Sequence, residues 1–442
     1  MNRHLSVFMI LLATCGWSKA VSAGAQDLFG YGARATAMGG AVVALCYGFE
    51  SVYYNPAGLA VDASKQLTIG YQGSFFALDV DGGAPGADNA ADVDRAGGVV
   101  IGAVVPLPLP DPIFDRIVLG IGLFVPDRLI LRAYVPKPYT PDFVVLGNRA
   151  NTVAIQGAAG VKITDWLYAG LGVRALATLV GDISVAPNAF GQLGSTVKDE
   201  LLATYSLTAG FRVGPLYGFS AGFVFRGEQK SSFDLPIRAD LGDSFPLEVP
   251  TMYIRGIAQF DPMQLGGSVS WSMGPMFSAE AGLLYRQWSA FGRPIENVTP
   301  ATPQIPSPRF ADTLSPRFGA ESEWSLGPEW SLTGRLGYVY EPTPVPQQRG
   351  ANNYLDNERH ISSLGIAARY SPTSLQQSHD KGFSIQLDLT FQHHALISRK
   401  NVKITPRNVI EEQELSANPG YPHIESSGQL FGFGAALTLG FL

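Results

Sequence analysis

Apolar and polar residues alternate along much of this chain. From Phe383 the odd positions are Phe383, Ile385, Leu387, Leu389 and Phe391, and the even ones are Ser384, Gln386, Asp388, Thr390 and Gln392. A period of two places each set on its own face of a β-strand. The same split recurs at Tyr205, Leu207, Ala209 and Phe211 against Thr204, Ser206, Thr208 and Arg212. It recurs again at Tyr217, Phe219, Ala221, Phe223 and Phe225 against Gly218, Ser220, Gly222 and Arg226. A soluble sandwich would carry Lys and Glu on its polar face. Here that face holds Gly, Ser, Thr and isolated Arg, which suits a lumen.

Fourteen strands are expected, at about 66–78, 96–107, 115–125, 150–163, 166–186, 198–213, 216–235, 252–273, 276–290, 308–326, 329–341, 359–371, 382–398 and 428–441, with boundaries uncertain by roughly 2–4 residues. Thr164-Asp165, Gly214-Pro215, Gly274-Pro275 and Gly327-Pro328 read as very short turns. Between them fall long polar or Pro-rich segments at 187–197, 236–251, 291–307, 342–358 and 399–427. Short turns on one rim and long loops on the other define a transmembrane barrel. The expected fold is therefore all-β, a 14-stranded antiparallel transmembrane β-barrel with both chain ends on the short-turn rim.

Composition agrees with a wall that meets lipid. Only 15% of the 442 residues are charged, while 50 are Gly, 17 Tyr and 25 Phe. The formal net charge of −6 and the lack of a basic stripe argue against a nucleic-acid partner. Residues 1–23 have the form of a secretory signal: Arg3, an apolar stretch Leu5–Ala13, and the small-residue site Val21-Ser22-Ala23. Lipoprotein processing at Cys15 is the rival, disfavoured by Thr14 before the cysteine. After cleavage only Cys46 remains, so no internal disulfide is expected, and the thiol reads as a small buried hydrophobe. The mature chain divides into an N-terminal plug at 24–64 and the barrel at 65–442.

The plug is suggested by Gly32–Ala60, which is small-residue-rich, nearly uncharged and interrupted by Gly and Pro. Irregular backbone survives at membrane depth only where protein covers it or water lines it. Its run Arg34…Gly39-Gly40-Ala41…Tyr53-Tyr54-Asn55-Pro56-Ala57-Gly58-Leu59 resembles the N-terminal hatch of the FadL-type outer-membrane transport proteins. Two later pieces, Tyr285-Arg-Gln-Trp288-Ser-Ala-Phe291 and Tyr340-Glu-Pro-Thr-Pro-Val-Pro346 ahead of Asp356 and Arg359, extend the resemblance into the barrel.

That resemblance implies passive uptake of hydrophobic compounds, long-chain fatty acids foremost, across the Gram-negative outer membrane. It implies a gate at Asn55, Pro56 and Ala57, with Arg34, Gly39 and Gly40 in the same hatch. It also implies a lateral opening in the third strand, for which Gly120, Gly122 and Pro126 are the candidates. The partners would be outer-membrane lipid, the hydrophobic cargo and the barrel assembly machinery. That machinery commonly reads a terminal aromatic, and Phe441 is penultimate here. Neither cofactor nor catalytic residue is expected. A same-fold barrel that shuttles or docks secreted proteins is the alternative, and a barrel lipid hydrolase a more distant one.

The inward-facing charges set the chemistry of the lumen. Alternation turns Arg174, Arg212, Arg226, Glu280, Arg286, Arg317, Glu321, Arg335, Arg369 and Asp388 inward. One reading is a lattice of ion pairs holding wall and plug, since buried charges need partners. The other is that Arg174, Arg212, Arg226, Arg286 or Arg335 meets the carboxylate of a passing amphiphile. His393-His394 cannot easily chelate one metal, because neighbours on a strand face opposite ways. Asp79, Asp81, Asp88, Asp92 and Asp94 lack the spacing of a calcium loop. Loop 126–149 is apolar enough to be a landing surface for cargo or a lid.

Overall fold

The computed structural model describes residues 25–441 apart from 83–94, 111–115, 128–142, 148–152, 188–192, 240–251, 275, 294, 298–306, 349–353, 373–381 and 403–422. The expected signal, Asp88, Asp92, Asp94 and most of loop 126–149 lie outside the described residues. Within them the strands are β1 (Lys65–Asp81), β2 (Ala96–Pro106), β3 (Ile117–Pro126), β4 (Ala154–Lys162), β5 (Leu167–Pro187), β6 (Leu193–Leu216), β7 (Phe219–Arg226), β8 (Gln229–Ala239) and β9 (Met252–Asp261). They continue as β10 (Gln264–Met273), β11 (Phe277–Arg286), β12 (Ile295–Asn297), β13 (Thr313–Ser325), β14 (Trp330–Glu341), β15 (Arg359–Tyr370), β16 (Phe383–Val402) and β17 (His423–Phe441).

Fourteen of these strands pair antiparallel in a ring that runs β1 to β7, then β10, β11 and β13 to β17, and returns to β1. The seam pairs β1 with β17 from Lys65↔Phe441 to Asp81↔Glu425. Closure satisfies every ladder internally and leaves no edge, the condition for crossing lipid with strands. No described helix is long and apolar enough to cross a membrane.

Two segments that read as single strands are each broken. The stretch 216–235 divides at Gly227-Glu228 into β7 and β8, and 252–273 divides at Pro262-Met263 into β9 and β10. Pro262 has no N–H to give the ladder. Beyond the breaks β8 pairs with β9 and, in parallel, with β5, while β9 takes the short β12. The wall therefore ends at the breaks, and these three strands extend the loops of the long-loop rim.

Alternation decides what faces where. On β16, Leu387, Leu389 and Phe391 are exposed, while Asp388, Thr390 and Gln392 are buried. Tyr205, Leu207 and Phe211 of β6 are exposed, and Ser206, Thr208 and Arg212 are buried. The apolar side chains thus point away from the barrel axis, as a lipid-facing wall requires. The core lies inside, in the N-terminal segment. A Cβ placed on Gly102, Gly120, Gly170, Gly222, Gly319, Gly337 or Gly365 would come within 3 Å of atoms belonging to residues 37–59. Those glycines belong to seven different strands around the ring, so the segment fills the lumen they enclose.

Candidate functional site

The N-terminal segment holds three short helices, α1 (Ala25–Phe29), α2 (Ala33–Ala37) and α3 (Ser51–Tyr54), and a 3-10 turn at Pro56–Ala60. Asn55 sits between α3 and that turn in extended backbone (φ −164°, ψ 105°), and its Oδ1 accepts a hydrogen bond from the Ala57 amide at 3.1 Å. A side-chain oxygen at this position satisfies an amide the turn would leave open, and Pro at the next residue presets the turn. The Asn55 Nδ2 donates to the Val43 carbonyl at 2.7 Å and to the Phe211 carbonyl of β6 at 3.1 Å. Every hydrogen-bonding face of this fully buried amide is therefore used, one of them on the barrel wall.

The wall leaves room for that turn by omitting side chains. A Cβ on Gly210 would lie 2.0 Å from Asn55 Oδ1, and one on Gly170 would lie 2.3 Å from the Pro56 carbonyl carbon. Gly120 and Gly122 of β3 do the same for Leu59, Val52 and Tyr31. The β3 ladder runs without a register break to β2, from Gly98↔Pro126 to Pro106↔Val118, and to β4, from Ile117↔Val161 to Phe124↔Ala154. Gly39 and Gly40, by contrast, answer a backbone need. They follow α2 with φ of 63° and 69°, a left-handed region closed to most side chains.

A second set of contacts is ionic. Arg34 donates to both oxygens of Glu321 on β13, from Nε at 3.0 Å and from Nη2 at 2.6 Å. Glu321 also accepts from Arg335 Nε at 3.2 Å, and Arg335 Nη1 reaches Asp388 at 2.6 Å. Glu280 of β11 accepts from the Ala44 and Leu45 amides at 3.1 and 2.7 Å. Inside the segment Glu50 accepts from the Arg34 and Ala35 amides at 3.1 and 3.0 Å. Burial pushes the Glu50 carboxyl up to about 7, against the pull of the Arg34 charge.

The structure places the five candidate arginines as follows. Arg174 faces Asp261 at 3.5 Å. Arg226 donates to Gln264 Oε1 and to the Tyr53 carbonyl, with its guanidinium over the Tyr53 ring. Arg286 pairs with Glu341, and Arg335 lies in the chain just described. Arg212 lies over the Tyr168 ring at 5.8 Å. Arg369 donates to Gln386. One lumenal guanidinium escaped the sequence reading as a site residue: Arg359, at the first position of β15, is 3% exposed. Counting back in twos from Arg369, which the alternation already turns inward, would have found it.

Beyond the N-terminal segment, toward the long-loop rim, the two motifs Tyr285–Phe291 and Tyr340–Pro346 converge. Trp288, Phe291 and Val345 join Phe260, Phe310, Tyr354, Ile257 and Val145 in one buried apolar cluster. The Phe291 and Phe310 rings stack at 4.8 Å. Val145 comes from α4 (Val144–Gly147), the described remnant of loop 126–149, whose Phe143 and Leu146 pack into the main core. At the opposite, short-turn rim a polar chamber of about 170 Å³ lies between the segment and the wall, lined among others by Arg34, Glu50, Asp62, Arg369 and Asp388. His393 stacks on Phe431 outside and His394 packs toward Phe29 inside. Among the described residues no group of side chains is arranged to hold a metal.

A closed barrel with a greasy outer face and an occupied lumen invites comparison with known proteins. Residues 9–434 match the family described as outer membrane protein transport protein (OMPP1/FadL/TodX). The chain is 24% identical over 375 residues to alkane uptake protein A of Marinobacter nauticus, covering 79% of each chain. Its fold is similar to that of a Pseudomonas aeruginosa FadL homologue, with a TM-score of 0.55 and 14% identity over 96% of this chain and 99% of that one. It is likewise similar to the toluene transporter TodX of P. putida, with a TM-score of 0.51 and 14% identity over 93% and 99%. The chain belongs to this family of transport proteins and resides in the Gram-negative outer membrane.

Proposed function

We propose that this member of the FadL/TodX family takes up hydrophobic compounds passively, long-chain fatty acids foremost, through rearrangement of residues 24–64 acting as a hatch. Greasy solutes cross the lipopolysaccharide leaflet poorly, and a protein conduit lowers that barrier without covalent chemistry. The observation that carries the reading is the lumen itself: a segment packed against glycines on seven strands fills it, so passage requires the segment to move. The aromatic cluster of Trp288, Phe291 and Phe310 at the outer rim, buried in this state, would receive an apolar molecule once the rim opens. The chamber beside Arg34 and Glu50 would be the inner end of the route. Asn55, Pro56 and Ala57 would gate it, because their turn joins the segment to β6.

Lateral exit through β3 at Gly120, Gly122 and Pro126 remains part of the proposal for an opened state. In the present state the hatch packs against both glycines. The alkane and toluene transport named for relatives extends the cargo range to be tested. A reversible cross-link tests the moving part. Arg34 of the segment and Glu321 of β13 meet at 2.6 Å. Cells lacking their own transporter and expressing Arg34→Cys/Glu321→Cys should still take up labelled oleate, hexadecane and toluene, should lose that uptake when the two thiols are bridged by a bifunctional reagent with a reducible spacer, and should regain it with reductant. Uptake that persists in the cross-linked protein would refute the moving hatch.

A further inference from the structure

Between the hatch and the wall of β11 to β15 lies a small cavity of about 30 Å³. Four guanidinium groups line it, those of Arg226, Arg286, Arg317 and Arg359, and Glu341 is the one carboxylate among its described lining residues. Arg226 is held by Gln264 and by the Tyr53 carbonyl. Arg286 pairs with Glu341, and Arg317 reaches the same carboxylate at 3.8 Å. Arg359 is left over. It is 3% exposed, and its Nε and Nη1 have no hydrogen-bond partner among the described residues; neither has the Nε of Arg317.

Buried cations are stable when paired, and stripped guanidinium donors demand acceptors. Water would satisfy the hydrogen bonds but not the charge. The volume is on the order of one water-sized group, too small for an alkyl chain and sufficient for one compact anion. We infer that this cavity binds a single compact monoanion between Arg359 and Arg317, supplied either as the carboxylate head of an amphiphile or as free chloride. Guanidinium N–H groups are suited to both through charge-assisted hydrogen bonds.

The hatch side of the cavity fits this role. Gly40 faces Arg317, and a Cβ there would lie 2.5 Å from Arg317 Nη1, so any side chain would push the guanidinium off the site. Because Gly39, Gly40 and Tyr54 form one wall and the barrel forms the other, an anion bound here bridges the moving and fixed parts. The carboxylate source rests on the uptake reading above, whereas the chloride source does not.

Calorimetry on the full-length protein in nonionic detergent and chloride-free buffer tests the inference. Sodium octanoate, sodium chloride and neutral 1-octanol are titrated into the wild type, Arg359→Gln, Arg317→Gln and Arg116→Gln, the last an exposed residue outside the cavity. Octanoate or chloride should bind saturably, and at least tenfold more weakly in Arg359→Gln and Arg317→Gln but not in Arg116→Gln. Binding of 1-octanol should be unchanged throughout. Octanoate binding that chloride does not displace identifies the head-group source, and equal binding of both identifies a free-anion site. Heat-modifiable gel mobility confirms that each variant is folded, and Arg359→Lys, which keeps charge but loses the fork, should bind with intermediate affinity. Absence of anion binding in the wild type, or unaltered binding in both cavity variants, overturns the inference. Oleate uptake in cells, scored separately, decides the transport reading whichever way the titration falls.

Discussion

The N-terminal segment, the proposed hatch, meets its barrel differently on two sides. Against β3 to β7 the contact is one of shape: Val52, Asn55, Pro56 and Leu59 press into positions where Gly120, Gly122, Gly160, Gly170 and Gly210 present bare backbone. Against β11 to β16 bare backbone at Gly319, Gly337 and Gly365 meets the segment as well, but charge is added: Arg34 grips Glu321, and Glu280 holds the Ala44 and Leu45 amides. A shape fit acts over less than an ångström and fails when volume is added. A charge fit tolerates small displacement and fails when one partner is removed. The charge contacts are therefore separable by mutation from the shape contacts, and their different sensitivities would order the losses if the segment moves as proposed.

Adding volume to the glycine side should have the largest effect. Gly210→Leu has no space beside Asn55 and should destabilise the seated hatch by about 3 kcal/mol or more, read as new protease cleavage within residues 25–64 in an otherwise folded barrel. Removing charge comes next. Glu321→Gln leaves Arg34 and Arg335 buried with one acceptor fewer each, at a cost of about 3 kcal/mol. Adding Arg34→Gln to that variant should recover part of the loss, and a double-mutant cycle measured by thermal gel shift gives the coupling. Simple additivity of the two changes would show that the pair does not join hatch to wall.

Asn55→Ala touches the point where the two logics meet, a hydrogen bond made from a shape-fitted turn. It removes the cap on Ala57 and strands the Val43 and Phe211 carbonyls, which should cost about 2 kcal/mol. Its effect should appear in protease access before it appears in barrel melting.

The smallest effect expected is that of pH. The native Glu50 carboxyl is raised from 4.5 to about 7, so the seated hatch binds a proton more readily than the released one. Stability of the seated state should therefore fall as pH rises from about 4.5 through about 7 and level off above that. Protease access measured at pH 5 and pH 8 should increase at the higher pH in the wild type and stay level in Glu50→Gln.

Much of this was legible because strand alternation is strictly local. Phe383–Gln392 could be sorted into lipid and lumen faces without knowing its neighbours, and Leu389 and Asp388 lie where that sorting put them. Asn55-Pro56 likewise reads as a cap and a turn start from two residues. Pairing across the lumen is not local. Alternation turns Arg335 inward but cannot say that Glu321 and Asp388 await it from two other strands. The breaks at Gly227 and Pro262 were hidden for a related reason. Apolar alternation lapses at both, in the polar run Gly227–Ser232 and at Asp261-Pro262, but only the geometry of the neighbouring ladders shows that these lapses end the wall.

The seam carries a consequence for how the molecule is made. The strand that follows the hatch hydrogen-bonds to the final strand of the chain, register by register from Lys65↔Phe441. The cylinder cannot zip shut until translation and export of the C-terminus are complete. Residues 25–64 precede every strand of the wall yet cannot be fully enclosed until that seam forms. Biogenesis of this protein therefore has an obligatory order, in which its earliest segment waits for its latest.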